Sequence, residues 1–200
     1  MIMKRPYLIA GALLVLTAVV MLFGFRTPVE PAPAPQDAYL LIVSDDTGAF
    51  LLQLKRGMDD AAARLNARWS LKVLAAGEIP DCSDKNGAVI YLDHPEAVLA
   101  SIGCPAVVIG QTVSSVPCIV SAAPEGDSPV SDTDVPLAEL VAMLEAGTID
   151  AFYAADPYAM GYLAVAALKE GGGREVPLKL ITRDNLYGKE NVKLVFPLLE

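Results

Sequence analysis

Short apolar runs that end in turn residues alternate with helical periodicity along most of this chain, and that alternation leaves few folds open. YLLIV at 39–43 runs into SDDTG at 44–48, which reads as a buried parallel strand feeding a loop. Residues 49–67 then carry Phe50, Leu51, Leu54, Met58, Ala61, Ala62 and Leu65 at three- and four-residue spacing. Lys55, Arg56, Asp59, Asp60 and Arg64 fall on the other face, so this is an amphipathic helix. Further strands are predicted over 69–75, 88–92, 106–109 and 119–120 (the last starting near Val116), with a short helix over 96–102. Strand, helix, strand repetition implies an α/β fold: a single doubly wound parallel sheet, of the 2-1-3-4-5 strand-order type, with helices on both faces.

The later part continues the pattern less regularly. Residues 123–134 (APEGDSPVSDTD) are acidic and turn-rich and read as a linker. A helix is predicted over 135–146, with Asp134 as N-cap and Gly147 as the stop. A strand over 149–153 leads to a helix over 157–170, capped by Asp156 and ended by Gly171-Gly172-Gly173. Strands follow over 178–182 and 192–196.

The N-terminal part cannot belong to such a sheet. Residues 7–25 are 19 positions without a charge, between Lys4-Arg5 and Arg26. As a helix they span about 28 Å, close to one hydrocarbon core. The nearest small-residue cleavage pattern, Ala32-Pro33-Ala34, is followed by Pro35, so an uncleaved anchor is expected over 1–26 rather than a signal peptide. PVEPAPAP at 28–35 favours an extended, stiff conformation, which makes 27–37 a Pro-rich linker and 38–200 the folded domain. The positive flank stays inside, so the chain is expected to be a single-pass protein of the cell membrane with its bulk extracytoplasmic. All 24 acidic residues but only 12 of the 15 basic ones lie beyond residue 26, which gives that part a charge of −12. Nucleic acid is therefore not an expected partner. No glycine-rich nucleotide-binding pattern occurs, and the one His has no placeable Cys or Ser partner. No enzymatic activity and no cofactor are expected.

Three stretches carry a resemblance. Residues 39–65 form a strand, a polar loop with an aromatic at the helix start (Phe50), and a helix bearing Lys55-Arg56-Gly57-Met58. Residues 86–111 place Cys104-Pro105-Ala106-Val107-Val108 at the entry to a strand. Residues 145–185 run from a G-x-I-x-A strand into DPYAMGY at 156–162, then to a strand and a T-x-x-N turn at Thr182 and Asn185. Together these resemble the type I periplasmic sugar-binding proteins, the ribose- and galactose-binding group related to LacI-type repressors. That family folds as two lobes with a sugar in the cleft between them. Here only about thirty residues separate Val120 from the strand near Ile149, too few for a second doubly wound lobe. The resemblance thus implies one lobe, with 136–153 as a remnant of the other. The connection at 77–87 is also too short for the helix that the family has between its second and third strands.

The family's ligand chemistry is carried over only in part. After the fourth strand, where the family often has Asp-Arg, this chain has Gly110-Gln111, and Ala155 stands where many members have a polar Gln or Asn. Asp45, Asp46, Phe50, Asp93 and Gln111 remain as candidate ligand-binding residues at the strand ends. The three aspartates would converge at the sheet's switch point, where they could hold Mg²⁺ or Ca²⁺, or simply bond their own loops and helix N-termini. A tethered binding or interaction module is expected, from a transport or sensing system. A carbohydrate, a transporter permease, a sensor kinase or a second copy of the chain would be its partner. A degenerate remnant with a structural or partner-binding role is the alternative.

Cys82, Cys104 and Cys118 precede the third, fourth and fifth strands and should gather at one end of the sheet. Outside the cytoplasm two of them can pair. Cys104–Cys118 is the first choice because their strands are neighbours, Cys82–Cys104 the second, and three free thiols stay open as well.

Overall fold

The computed structural model describes residues 36–45, 48–122 and 135–196. The expected anchor and most of the linker, residues 1–35, lie outside the described residues, as do the 123–134 segment and Asp134. Among the described residues no helix is long and apolar enough to cross a membrane.

The elements run β1 (Asp37–Val43), α1 (Ala49–Leu65), β2 (Ala67–Val73), β3 (Gly87–Tyr91), α2 (Glu96–Leu99), β4 (Ala106–Ile109) and β5 (Cys118–Ala122). They continue with α3 (Leu137–Ala146), β6 (Ala151–Ala154), α4 (Pro157–Glu170), β7 (Arg174–Pro177), β8 (Lys179–Thr182) and α5 (Lys189–Val195). Six parallel strands form one sheet in the order β2-β1-β3-β4-β5-β7. The expected 2-1-3-4-5 order is present, extended by β7. One sheet does not complete the fold: β6 and β8 pair antiparallel in a separate two-stranded sheet.

The pleat explains the layers. Tyr39, Leu41 and Val43 of β1 join Val89, Val107 and Ile109 in a core beneath α1 and α4, while Leu40, Ile42, Ala88, Ile90 and Val108 form the core of the opposite face. Side chains alternate across a strand, and both faces of a parallel sheet must be covered, so these runs are apolar throughout. The two faces are covered unequally. One carries α1 and α4, of 17 and 14 residues. The other carries the four-residue α2 and irregular connections, because the predicted helix over 96–102 closes after Leu99 into a turn.

The DPYAMGY segment does structural work on the first face. Asp156 accepts a hydrogen bond from the Ala159 amide at 3.0 Å, Pro157 takes the first helical position and Met160 is buried. A Cβ at Gly161 would overlap the Leu54 carbonyl, and one at Gly57 the Tyr158 carbonyl, so the two glycines let α1 and α4 cross backbone to backbone. Tyr158 donates to Asp60 at 2.6 Å, and Arg64 donates to the Tyr162 hydroxyl at 3.2 Å. The Thr182 and Asn185 pair closes a turn: the Asn185 side chain accepts from the Thr182 amide and donates to the Leu180 carbonyl.

The structure differs from the sequence reading at three places. The predicted strand over 192–196 is helix α5, started by Gly188, whose carbonyl accepts from Asn191 and Val192. A short apolar run reads either way, and burial of Leu194 and Val195 against α3 decides it. The segment Arg174–Pro177, to which the sequence pattern assigns no element, is edge strand β7; an edge tolerates its Pro and its charges. The disulfide joins Cys82 to Cys104, with Cα atoms 6.1 Å apart, and Cys118 is a free thiol. Strand neighbourhood suggested Cys104–Cys118, but the register sets Cys118 opposite Val108, and its sulfur accepts from the Val113 amide instead.

The second cluster is small. Leu140, Val141 and Leu144 of α3 pack on Phe152, Ala154, Ile181, Leu194 and Val195. It takes in the 136–153 stretch, with β8 and α5 added.

Candidate functional site

The carboxyl ends of β1, β3 and β4 are adjacent in the sheet, and the loops beyond them hold the candidate residues. Phe50, in the first turn of α1, is half-buried and stacks on Tyr91 at the end of β3, with ring centroids 4.9 Å apart and planes 15° from parallel. Gln111 follows Gly110, whose φ of +90° turns the chain sharply after β4. The Gln111 amide then donates to the Leu92 carbonyl at 2.6 Å and the Asp93 carbonyl at 3.2 Å. It ties the end of β4 to the end of β3. Asp45 and Asp93 are exposed, one beyond β1 and the other beyond β3. Asp46 lies outside the described residues. Among those described, no three His, Cys, Asp or Glu side chains are grouped so as to hold a metal ion.

Between Phe50 and the small cluster the surface is hollowed. The hollow is about 190 Å³, lined by Ala49, Phe50, Gln53, Leu137, Ala155, Pro157 and Leu194. Ligand pockets usually hold about 300–1,000 Å³ and several convergent polar groups. Here the one polar side chain is Gln53, and its amide donates to the Lys193 carbonyl at 3.0 Å. Leu137 and Leu194 close the rest with hydrocarbon. The geometry does not suit the bidentate polar grip that a monosaccharide needs.

Electrostatics around the stack follow from burial. The Tyr91 phenol is pushed above its ordinary value, first by desolvation and then by the negative charge of Asp93. Sequence reasoning missed Gln53, Tyr91, Leu137 and Leu194. Gln53 reads as a solvent-face residue of α1, and nothing local signals that α5 will cover it.

No family model and no curated protein matches this chain. Solved structures do. A chain of a mutant XylFII–LytSN complex aligns over 76% of this chain and 99% of its own length, with a TM-score of 0.54 and 11% identity. A chain from Bacteroides fragilis assigned as a LacI transcriptional regulator aligns over the same shares, with a TM-score of 0.53 and 8% identity. At such identity the likeness is one of fold. The fold class is therefore the parallel α/β lobe shared with these two chains, neither of which is described as an enzyme.

Proposed function

We propose that this chain is a membrane-tethered extracytoplasmic binding and interaction module built on the fold of a sugar-binding protein. Residues 7–25 are its single-pass anchor. Asp45, Asp46, Phe50, Asp93 and Gln111 form the edge that it offers to a partner protein, a transporter permease or a sensor kinase of a transport or sensing system. The observation that carries this reading is the 190 Å³ apolar hollow beside Phe50, where Gln53 is already bonded to Lys193 and nothing polar is left to grip a sugar. The likeness to a chain from a XylFII–LytSN complex supports a partner-binding role. A second copy of the chain could supply the missing wall for a sugar-like ligand. The second reading is a degenerate remnant, favoured by Gln111, whose amide is engaged by its own chain.

One measurement tests for a sugar ligand and a second separates the two readings. Calorimetry of the full chain in detergent micelles against pentoses and hexoses should be silent at millimolar sugar; micromolar binding would make it a sugar receptor after all. A photo-crosslinker replacing Gln111 in native membranes should form an adduct with one protein, while one replacing Arg64 should not. Absence of any adduct supports the remnant reading.

A further inference from the structure

The unequal covering of the sheet leaves another hollow, on the face that lacks a long helix. The connection from β2 to β3 crosses its face as a loop, with no helix, and between residues 74–79 and α2 a cavity of about 470 Å³ remains. That volume falls within the range of small-molecule sites, and it lies beside the β1/β3 switch point, where open α/β sheets bind ligands. Its wall is apolar: Leu74, Ile79, Ala97 and Val98 line it, and Ile79 is 63% exposed.

The rim has one charge sign. Glu78 and Asp93 line the cavity, no Lys or Arg does, and His94 is the one imidazole. Glu78 is already occupied, bonded to Lys72 and to the Ala75 amide. Among the described residues no side chain bonds the Asp93 carboxylate. An anion would be repelled there, and a sugar would leave hydroxyls against hydrocarbon. From the apolar wall and the single available carboxylate we infer that this hollow binds a small organic monocation with an apolar tail, its ammonium on Asp93 and its tail against Leu74, Ile79 and Val98. The site shares Asp93 with the edge proposed for a partner protein, but its test uses small probes and no partner, so either reading can fail alone.

The probes are phenethylammonium, phenethyl alcohol and hydrocinnamate, of similar shape and with charges of +1, 0 and −1. Each is titrated into the full chain in detergent micelles by ligand-observed NMR. Phenethylammonium should bind at millimolar concentration, the alcohol more weakly and hydrocinnamate not at all. Asp93→Asn should weaken phenethylammonium about fivefold, the upper end for an exposed ion pair. Ala97→Gln, which fills the hollow from its exposed rim, should abolish binding. Asp150→Asn, at an exposed acid elsewhere, should change nothing. Equal binding of the three probes, no binding of the cation, or equal loss in the Asp150 variant would overturn the inference, the last because it would reveal a general attraction to an acidic chain.

Discussion

The side-chain amide of Gln53 donates to the main-chain carbonyl of Lys193 at 3.0 Å, fastening the last turn of α5 to the second turn of α1 across 140 positions of sequence. Gln53 is itself buried, at 7% exposure. A buried amide without a partner costs more than an exposed one, so this bond holds the small cluster against the sheet. Gln53→Ala should destabilise the protein by about 1 kcal/mol. It should also speed hydrogen exchange of amides 192–195 relative to those of β1. Unchanged exchange there would mean that Leu194 and Val195 hold α5 alone.

The α1–α4 crossing depends on two missing side chains. Alanine at either glycine gains about 1 kcal/mol of helix propensity. At Gly161, however, the new Cβ would overlap the Leu54 carbonyl, a backbone atom that cannot rotate away. Gly161→Ala should therefore cost a net of about 2 kcal/mol through separation of the helices, read as a lower melting temperature. At Gly103, where a Cβ meets nothing within 4 Å, alanine should be nearly neutral.

Much of the first face was legible because its signals are local. Continuous apolar strands mark burial on both faces, and Asp156-Pro157 marks a helix start whatever the rest of the chain does. The glycines of the Lys55–Met58 and DPYAMGY segments were legible only as parts of the resemblance, and their role in the α1–α4 crossing was not. What escaped depends on contacts far apart in sequence. Arg174-Glu175-Val176-Pro177 is a strand only because β5 offers an unpaired edge. Residues 192–196 are helical only because α3 and Phe152 offer a place to bury Leu194 and Val195. At the candidate site, Phe50 was legible as an aromatic at a helix start, but its partner Tyr91 was not, since only the β1–β3 register brings it near. Gln111 was identified as a ligand candidate, whereas in the fold its amide joins two strand ends.

The Cys82–Cys104 bridge closes a loop with a sequence separation of 22, on the face that lacks a long helix. Loop closure of that size contributes about 3 kcal/mol. The Cys82→Ser, Cys104→Ser double variant should lose about that much in denaturant unfolding, whereas Cys118→Ser should lose little. Non-reducing mass mapping should recover the 82–104 linkage and an alkylatable Cys118. Three alkylatable cysteines in the native chain would refute the bridge.

Alkaline titration tests the charge of Asp93 at the stack. Burial and then Asp93 raise the Tyr91 phenol above its unfolded value of about 10. A folded value above the unfolded one means that the native state holds the proton more tightly. The associated stability is complete below about pH 10 and is lost as pH rises through the folded value. Asp93→Asn removes the second cause and leaves the first, so Tyr91 should ionise at a lower pH in the variant but still above an exposed tyrosine. The phenolate absorbance of each protein, minus that of its Tyr91→Phe counterpart, isolates this one ring from the other six tyrosines. Superimposable difference curves would show that the Asp93 charge does not reach the phenol, and burial by Phe50 and the sheet would then account for the whole displacement.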